Sequence, residues 1–257
     1  PKCHLDDKIL TSWNGLMISA FAKAYQVFGK MQFLEKAKYA ADFIISDLYN
    51  KETGVLMHRF RDGEAKINGT LEDYAFFTQG LIDLYESCFD KTYLKHAVVL
   101  AEKMISDFYD NDESGFFDTS GEDKSILVRT KEDYDSAEPT GNSIAILCLA
   151  RLSYITGKTE WYDIVYSSIL VFSEKISKMP YAMPQMLVAL DYILYKPKQI
   201  IITGNDETAA GMIKEIYLRF IPCKVLIYIP PKNENTLTFA NGIITDRNKT
   251  AAYICED

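Results

Sequence analysis

The sequence predicts a mainly α protein, built from antiparallel helical hairpins and closed by a small β-α-β unit. Three observations carry this prediction. A hairpin-length segment recurs, apolar residues keep a helical period through most of the first 194 positions, and the period breaks at Lys196-Pro197-Lys198. Phe28 to Gly54 aligns with Phe89 to Gly115, so that Leu34 meets Leu94, Ala37 meets Ala97, Ala41 meets Ala101, Asp47 meets Asp107 and Tyr49 meets Tyr109. A weaker third copy runs from Thr156 to Ile176, with Trp161 and Tyr162 in place of the aromatic–Leu pair. Such a repeat means that one unit cannot bury its apolar face alone and must stack on its neighbours.

The elements follow in order. Residues 11–28 place Leu16, Ala20, Phe21, Ala24 and Phe28 on one helical stripe, with Thr11 or Ser12 to cap the start and Gly29 to end it. Residues 32–49 repeat the period through Leu34, Ala37, Ala41, Ile44, Ile45 and Leu48. Further helices are expected near 71–89, 93–109, 140–155, 160–177 and 183–194, making seven in all: three hairpins and one unpaired helix. Between hairpins, "GVLMHRFRDGEAKI" reads as a β-hairpin turning at Asp62-Gly63. "GFFDTS" and "SILVRT" are expected to pair in the same way after the second hairpin. Beyond Pro197, a strand at 199–204, a helix at 206–220 and a strand at 224–229 form the β-α-β unit, with "TAAYIC" as a further strand. Two domains are therefore expected, 1–196 and 197–257, the second leaning on the first.

Composition narrows the function. A net charge of −8 in 257 residues, with no block of Lys or Arg, argues against nucleic acid. No apolar run approaches the length of about 18 residues that suggests a membrane span. Five cysteines without Cys-x-x-Cys spacing point to free thiols in a reducing, cytoplasmic setting. A start at Pro1 is expected of a processed chain or of a piece of a longer one. His4, His58 and His96 are not spaced as ligand pairs. "DNDESG" begins like a calcium loop but has Gly121 where the bidentate acid belongs, and "ITGNDET" has one Gly where a phosphate loop has several. No metal and no cofactor are expected.

The polar groups that exceed structural need stand where the inner helices begin. Ser12-Trp13-Asn14, Glu72-Asp73-Tyr74 and Glu138-Pro139-Thr140-Gly141-Asn142 coincide when the copies are aligned, and Asn14, Tyr74 and Asn142 share one position. Capping accounts for Thr70 with Asp73 and for Thr140. It does not call for Trp13, Tyr74 or two adjacent acids. Carboxylates, amides and aromatic faces together suit a sugar, whose hydroxyls bond to the former and whose apolar face packs on the latter. Glu72, Asp73, Asp135 and Glu138 can supply the two carboxyl groups of glycoside chemistry, and His58 an acid/base group for epimerisation. Arg59, Arg61, Asp118, Arg129, Asp133 and Tyr134 stand nearby in the strand loops, so Trp13, Asn14, Arg59, Tyr74, Tyr134 and Asn142 are candidate substrate contacts.

"LDDKILTSWNGLMISAFAKAY", "LEDYAFFTQGLIDLYE", "GFFDTS", "EPTGNSIAILCLARL" and "YIC" resemble the YyaL-like and spermatogenesis-associated protein 20 family over nearly the whole chain. The resemblance implies part of a six-hairpin α/α toroid, similar to those of N-acylglucosamine 2-epimerases and six-hairpin glycosidases, in its later half and with a short C-terminal region. It marks Asp6, Asp7, Trp13, Asn14, Glu72, Asp73, Tyr74, Glu138, Pro139 and Asn142 as signature positions, and so adds Asp7 to the candidate substrate contacts. The family's thioredoxin-like domain is not expected within these 257 residues. The expectation is a carbohydrate-active protein, epimerase- or glycosidase-like, with a funnel at the inner-helix N-termini. The alternative is a non-catalytic helical scaffold for a protein partner. A half-ring exposes an apolar wall, so self-association or a partner domain completing the toroid is expected.

Overall fold

The computed structural model of the chain describes residues 6–122, 126–231 and 249–255. Four helices pack side by side as an inner row: α1 (Thr11–Phe28), α3 (Leu71–Cys88), α5 (Gly141–Thr156) and α8 (Pro184–Leu194). Outside them, α2 (Met31–Phe43) returns along α1, α4 (Lys91–Phe108) along α3 and α6 (Trp161–Val171) along α5. The repeat seen in the sequence is the packing repeat. Leu34, Ala37 and Ala41 of α2 and their counterparts Leu94, Ala97 and Ala101 of α4 are all buried. Small residues at these positions let the outer helices lie close to the inner ones. Because α3 and α5 are covered on several sides, they are buried almost throughout and carry no single apolar stripe.

Two glycines set the closest approach. A Cβ on Gly15 would stand 2.5 Å from the backbone carbonyl carbon of Phe76, and one on Gly80 would stand 2.7 Å from the carbonyl oxygen of Gly15. α1 and α3 therefore touch backbone to backbone.

The hairpin loops repeat as closely as the helices. Tyr49 bridges Leu56 and Tyr109 bridges Phe116 in the same antiparallel way. In each loop a side-chain oxygen, of Asn50 or Asp110, accepts two following backbone N–H groups. The second oxygen of Asp110 holds the Lys131 ammonium at 2.7 Å, which also bonds the Ser114 carbonyl. A lysine thus occupies the place that a calcium-loop reading would give to a cation.

The first loop continues into a three-stranded sheet, β1 (Ile9–Leu10), β2 (Met57–Arg61) and β3 (Glu64–Asn68). Its hairpin turns at Asp62 and Gly63, both with positive φ, as Asp-Gly predicts. The pairing of β1 was not foreseen.

Several expectations are corrected. The second pair of strands does not form among the described residues, where Leu127 and Val128 are 96% and 76% exposed and have no face to bury. Asp118 N–H meets Thr130 O, but no ladder follows. The helix expected over 160–177 breaks at Phe172 into α6 and α7 (Ser173–Lys178), so eight helices precede Lys196 among the described residues. Phe172 turns inward to the core at that break. α2 ends in a π-helical turn, Ile44–Leu48, which keeps Ile44 and Leu48 buried. Neither Thr11 nor Ser12 caps α1; Leu10 precedes the helix without a side-chain cap, and the Thr11 hydroxyl instead donates to Met57 O at 2.6 Å.

After Lys196, β4 (Lys198–Thr203), α9 (Asp206–Tyr217) and β5 (Lys224–Ile229) form the β-α-β unit, with β6 (Ala251–Cys255) antiparallel on the other side of β4. The strands alternate faces. Ile201, Val225, Ile227 and Ile229 join the helical core, while Ile200, Ile202 and Leu226 pack with α9. The start of α9 is capped by Asn205, and a Cβ on Gly204 would collide with Thr250, so no phosphate cradle is left open there.

Candidate functional site

The inner helices begin at one end of the row, and two aspartates staple their starts together. Asp73 is fully buried. One carboxylate oxygen accepts Ser12 N–H of α1 at 3.0 Å; the other accepts Thr70 N–H at 2.9 Å, completing the capping box, and meets His58 Nδ1 at 2.8 Å. Asp135, 8% exposed, does the same one step along. It accepts Thr140 N–H at the start of α5 and Gln185 N–H at the start of α8, both at 2.8 Å. Both carboxylates satisfy helix-terminal donors and favour the positive ends of the helix dipoles.

The position shared by Asn14, Tyr74 and Asn142 also ties down backbone. Asn14 donates to Leu10 O at 2.8 Å. The Tyr74 hydroxyl accepts Leu56 N–H at 2.8 Å, and its buried ring packs on Phe108. Asn142 accepts from Phe116 N–H and donates to Phe116 O, both at 2.8 Å. These residues hold the hairpin loops against the helix starts.

Glu72 differs. It is half-buried at the first turn of α3, and its carboxyl group bonds to no described residue. Burial raises its pKa from 4.5 to about 7, reinforced by Glu138, Glu132, Asp73 and Asp118. Backbone contacts create this crowding. Leu71 N–H bonds Asp118 O at 3.0 Å, and a Cβ on Gly141 would come within 2.9 Å of Leu71, so the segment leading into α5 lies directly on the start of α3. Asp118 in turn accepts Glu132 N–H at 3.0 Å. Beside the acids, His58 is partly exposed. Its bond to Asp73 raises its pKa, which burial opposes, and Arg59 lies near enough to act on it. A hollow of about 550 Å³ adjoins, lined in part by Asn68, Thr70, Thr119 and Ser120. Burial among acids brings Glu72 toward a proton exchange near neutral pH, and the hollow beside it, which Glu72 itself does not line, carries hydroxyl and amide groups.

The structure thus gathers Glu72, Asp73, His58, Arg59 and Glu138 with Asp118, and places Tyr74, Asn142 and Asp135 in buried supporting positions. Asp7 pairs with Arg61 at 2.8 Å. Tyr134 is half exposed beneath the Lys175 ammonium. Trp13 is 60% exposed on the open flank of α1, in a stripe with Met17, Ala20 and Val27. His96 packs edge-on against Tyr49, and His4 lies outside the described residues. Among the described residues no group of His, Cys, Asp and Glu is arranged to hold a metal. Sequence reasoning missed Glu132. It also missed a buried ionic cluster at the far end of the row, where Arg151 of α5 bonds Asp83 at 2.6 Å and Glu86 at 2.9 Å, with Lys23 of α1 3.0 Å from Asp83. Charged residues inside otherwise apolar helices, "GLIDLYES" and "LCLARLSY", were the available signal.

No family model matches the chain. Over its whole length it is 32% identical to spermatogenesis-associated protein 20 of Homo sapiens and 34% identical to that of Rattus norvegicus, covering 35% and 34% of those proteins. An uncharacterized Caenorhabditis elegans protein is 36% identical, again along the whole chain. Among solved structures, the GH76 α-mannanase of Bacteroides thetaiotaomicron matches 85% of the chain and 58% of its own, at 14% identity and a TM-score of 0.59. Cellobiose 2-epimerase of Bacillus thermoamylovorans matches 66% of the chain and 46% of its own, at 16% identity and a TM-score of 0.53. No helix among the described residues is long and apolar enough to cross a membrane. The chain thus belongs to the family of spermatogenesis-associated protein 20, carries part of an α/α toroid of the six-hairpin glycosidase-like fold and spans about a third of the length of those relatives.

Proposed function

We infer that the acidic rim at the starts of α1, α3 and α5 is a carbohydrate site, and that the chain is epimerase- or glycosidase-like with Glu72 as the proton-transfer group. The observation that carries this reading is Glu72 itself: half-buried, unbonded, surrounded by acids and poised near pH 7. A capping or solubilising acid has no need of that environment. His58, oriented by Asp73, is the second acid/base group, and Glu138 and Asp118 complete the carboxyl set. The fold neighbours named for cellobiose epimerisation and mannan hydrolysis support the substrate class. The four described cysteines are free thiols, in keeping with a reducing cytoplasmic setting.

Calorimetry with a panel of mono- and disaccharides tests the reading. Wild-type chain is expected to bind at least one sugar, and Glu72→Gln to lose that binding or its turnover while unfolding at no lower a temperature than wild type. Sugar binding that is indifferent to Glu72→Gln, or no binding across the panel, would sink it.

The open stripe of Trp13, Met17, Ala20 and Val27 on α1 favours a second reading, in which the chain is a scaffold completed by further toroid helices, a partner or a second copy. A division near Lys196–Pro197 belongs to both readings. Because β4 and β5 share the helical core, the C-terminal unit is expected to unfold together with the helices.

A further inference from the structure

A separate cleft lies at the opposite ends of the same helices. It opens between the α1–α2 turn and α9, has a volume of about 800 Å³ and shares no residue with the rim. That volume is typical of small-molecule sites. Its lip is apolar: Val27, Phe28, Met31 and Leu218 are each more than half exposed. Single exposed apolar side chains are ordinary, but four gathered around one cleft are not.

The charge of the lining is one-sided. It contains Lys38 on the α2 wall and Lys214 on the α9 wall, and no carboxylate. Neither ammonium is paired with a described residue. Gln26, also in the lining, is only 9% exposed. Its amide nitrogen donates to Ser87 Oγ at 2.9 Å, and its carbonyl accepts from no described residue. Apolar walls with two unpaired cations suit a ligand that has an apolar body and an anionic head. A neutral apolar ligand would leave both cations partly desolvated without compensation, and a cationic one would be repelled.

We propose that this cleft binds an amphipathic carboxylate, its chain against Val27, Phe28, Met31 and Leu218 and its head between Lys38 and Lys214. The site is independent of the rim and does not rest on the carbohydrate reading. Cys88 reports on it, because this half-buried residue is part of the lining, where Lys38 acts on its thiol against Asp90 and Asp42.

The test titrates the full chain with dodecanoate below its micelle concentration, alongside dodecanol and dodecyltrimethylammonium. Dodecanoate is expected to bind one to one and more tightly than either control. Lys38→Gln and Lys214→Gln are each expected to weaken it about fivefold, the scale of one partly exposed ion pair. Bound dodecanoate should protect Cys88 from alkylation while the rate at Cys223 stays unchanged. Ala210→Trp, at an exposed position in the lining, should block binding without moving the unfolding midpoint. Equal binding of all three amphiphiles, dodecanoate affinity unaffected by both lysine changes, or no dodecanoate binding would overturn the proposal.

Discussion

Two ends of one helix treat their acids in opposite ways. At the start of α3, Glu72 is pushed up to about 7. Three turns along, roughly 16 Å by helical rise, Asp83 is held well below the usual carboxylate range. Burial raises both. The difference lies in the partners. Asp83 is more deeply buried, yet Arg151, Lys23 and the Ser19 hydroxyl outweigh its desolvation, whereas the charges that act most on Glu72 are those of further acids. Depth therefore does not decide the charge state of an acid in this core; the cations supplied by neighbouring helices do. One end is a clamp and the other is left electrostatically strained, and the proposed site rests on that contrast.

Removing the clamp gives the largest expected effect. Arg151→Met leaves Asp83 and Glu86 buried without their main cation and should cost about 3–5 kcal/mol in urea unfolding. A loss under about 1 kcal/mol would show that water reaches this end too and would dissolve the contrast. Next comes Asp73→Ala, which orphans Ser12 N–H and Thr70 N–H and releases His58. A cost of about 2–3 kcal/mol is expected, with the helix starts losing hydrogen-exchange protection first.

Glu72→Gln should act in the other direction. The folded pKa exceeds the ordinary 4.5, so the folded chain holds an extra proton between about pH 4.5 and 7. Stability falls as pH rises through that window, and the loss is complete above it. The neutral amide removes this loss, so the variant should be about 1–2 kcal/mol more stable than wild type at pH 8, after allowance for solvent screening, and equal to it at pH 4. Equal stability at both pH values would show that Glu72 is not strained. His58 gives the smallest effect. Its raised pKa contributes stability below its ordinary 6.5, and that contribution is lost as pH rises through the folded value. His58→Gln should cost under about 1 kcal/mol at pH 6 and nothing at pH 9, read from thermal melts across pH.

The helical hairpins were legible because their signal is local and repeated: Ala37 and Ala97, or Tyr49 and Tyr109, do the same work in each copy. The break at Phe172 was not legible, since residues 160–177 keep a helical period across it and only the core position of Phe172 decides the turn. At the rim, Thr70 with Asp73 announced a capping box, and the structure bears that out. What the repeat position could not disclose is direction. Tyr74 and Asn142 stand at the rim in sequence but point into the core, while Glu72, two residues before Tyr74 on α3, does not. Glu132 escaped notice because it belongs to no helix and reaches the acids only through the fold of the 116–140 segment.

Glu86, held by Arg151 in the buried ionic cluster, also bonds β5, and this has a consequence for solubility in the concentrated state. Among the described residues β5 is a border strand of its sheet, and a border strand offers unpaired backbone groups to any passing chain. Here the Glu86 carboxylate takes Leu226 N–H at 3.1 Å, and the Tyr192 hydroxyl donates to Lys224 O at 2.7 Å. Side chains of the helices stand where a foreign strand would add itself, so cross-β growth is blocked on this side of the sheet. The opposite border among the described residues, β6, by contrast leaves Ile254 60% exposed.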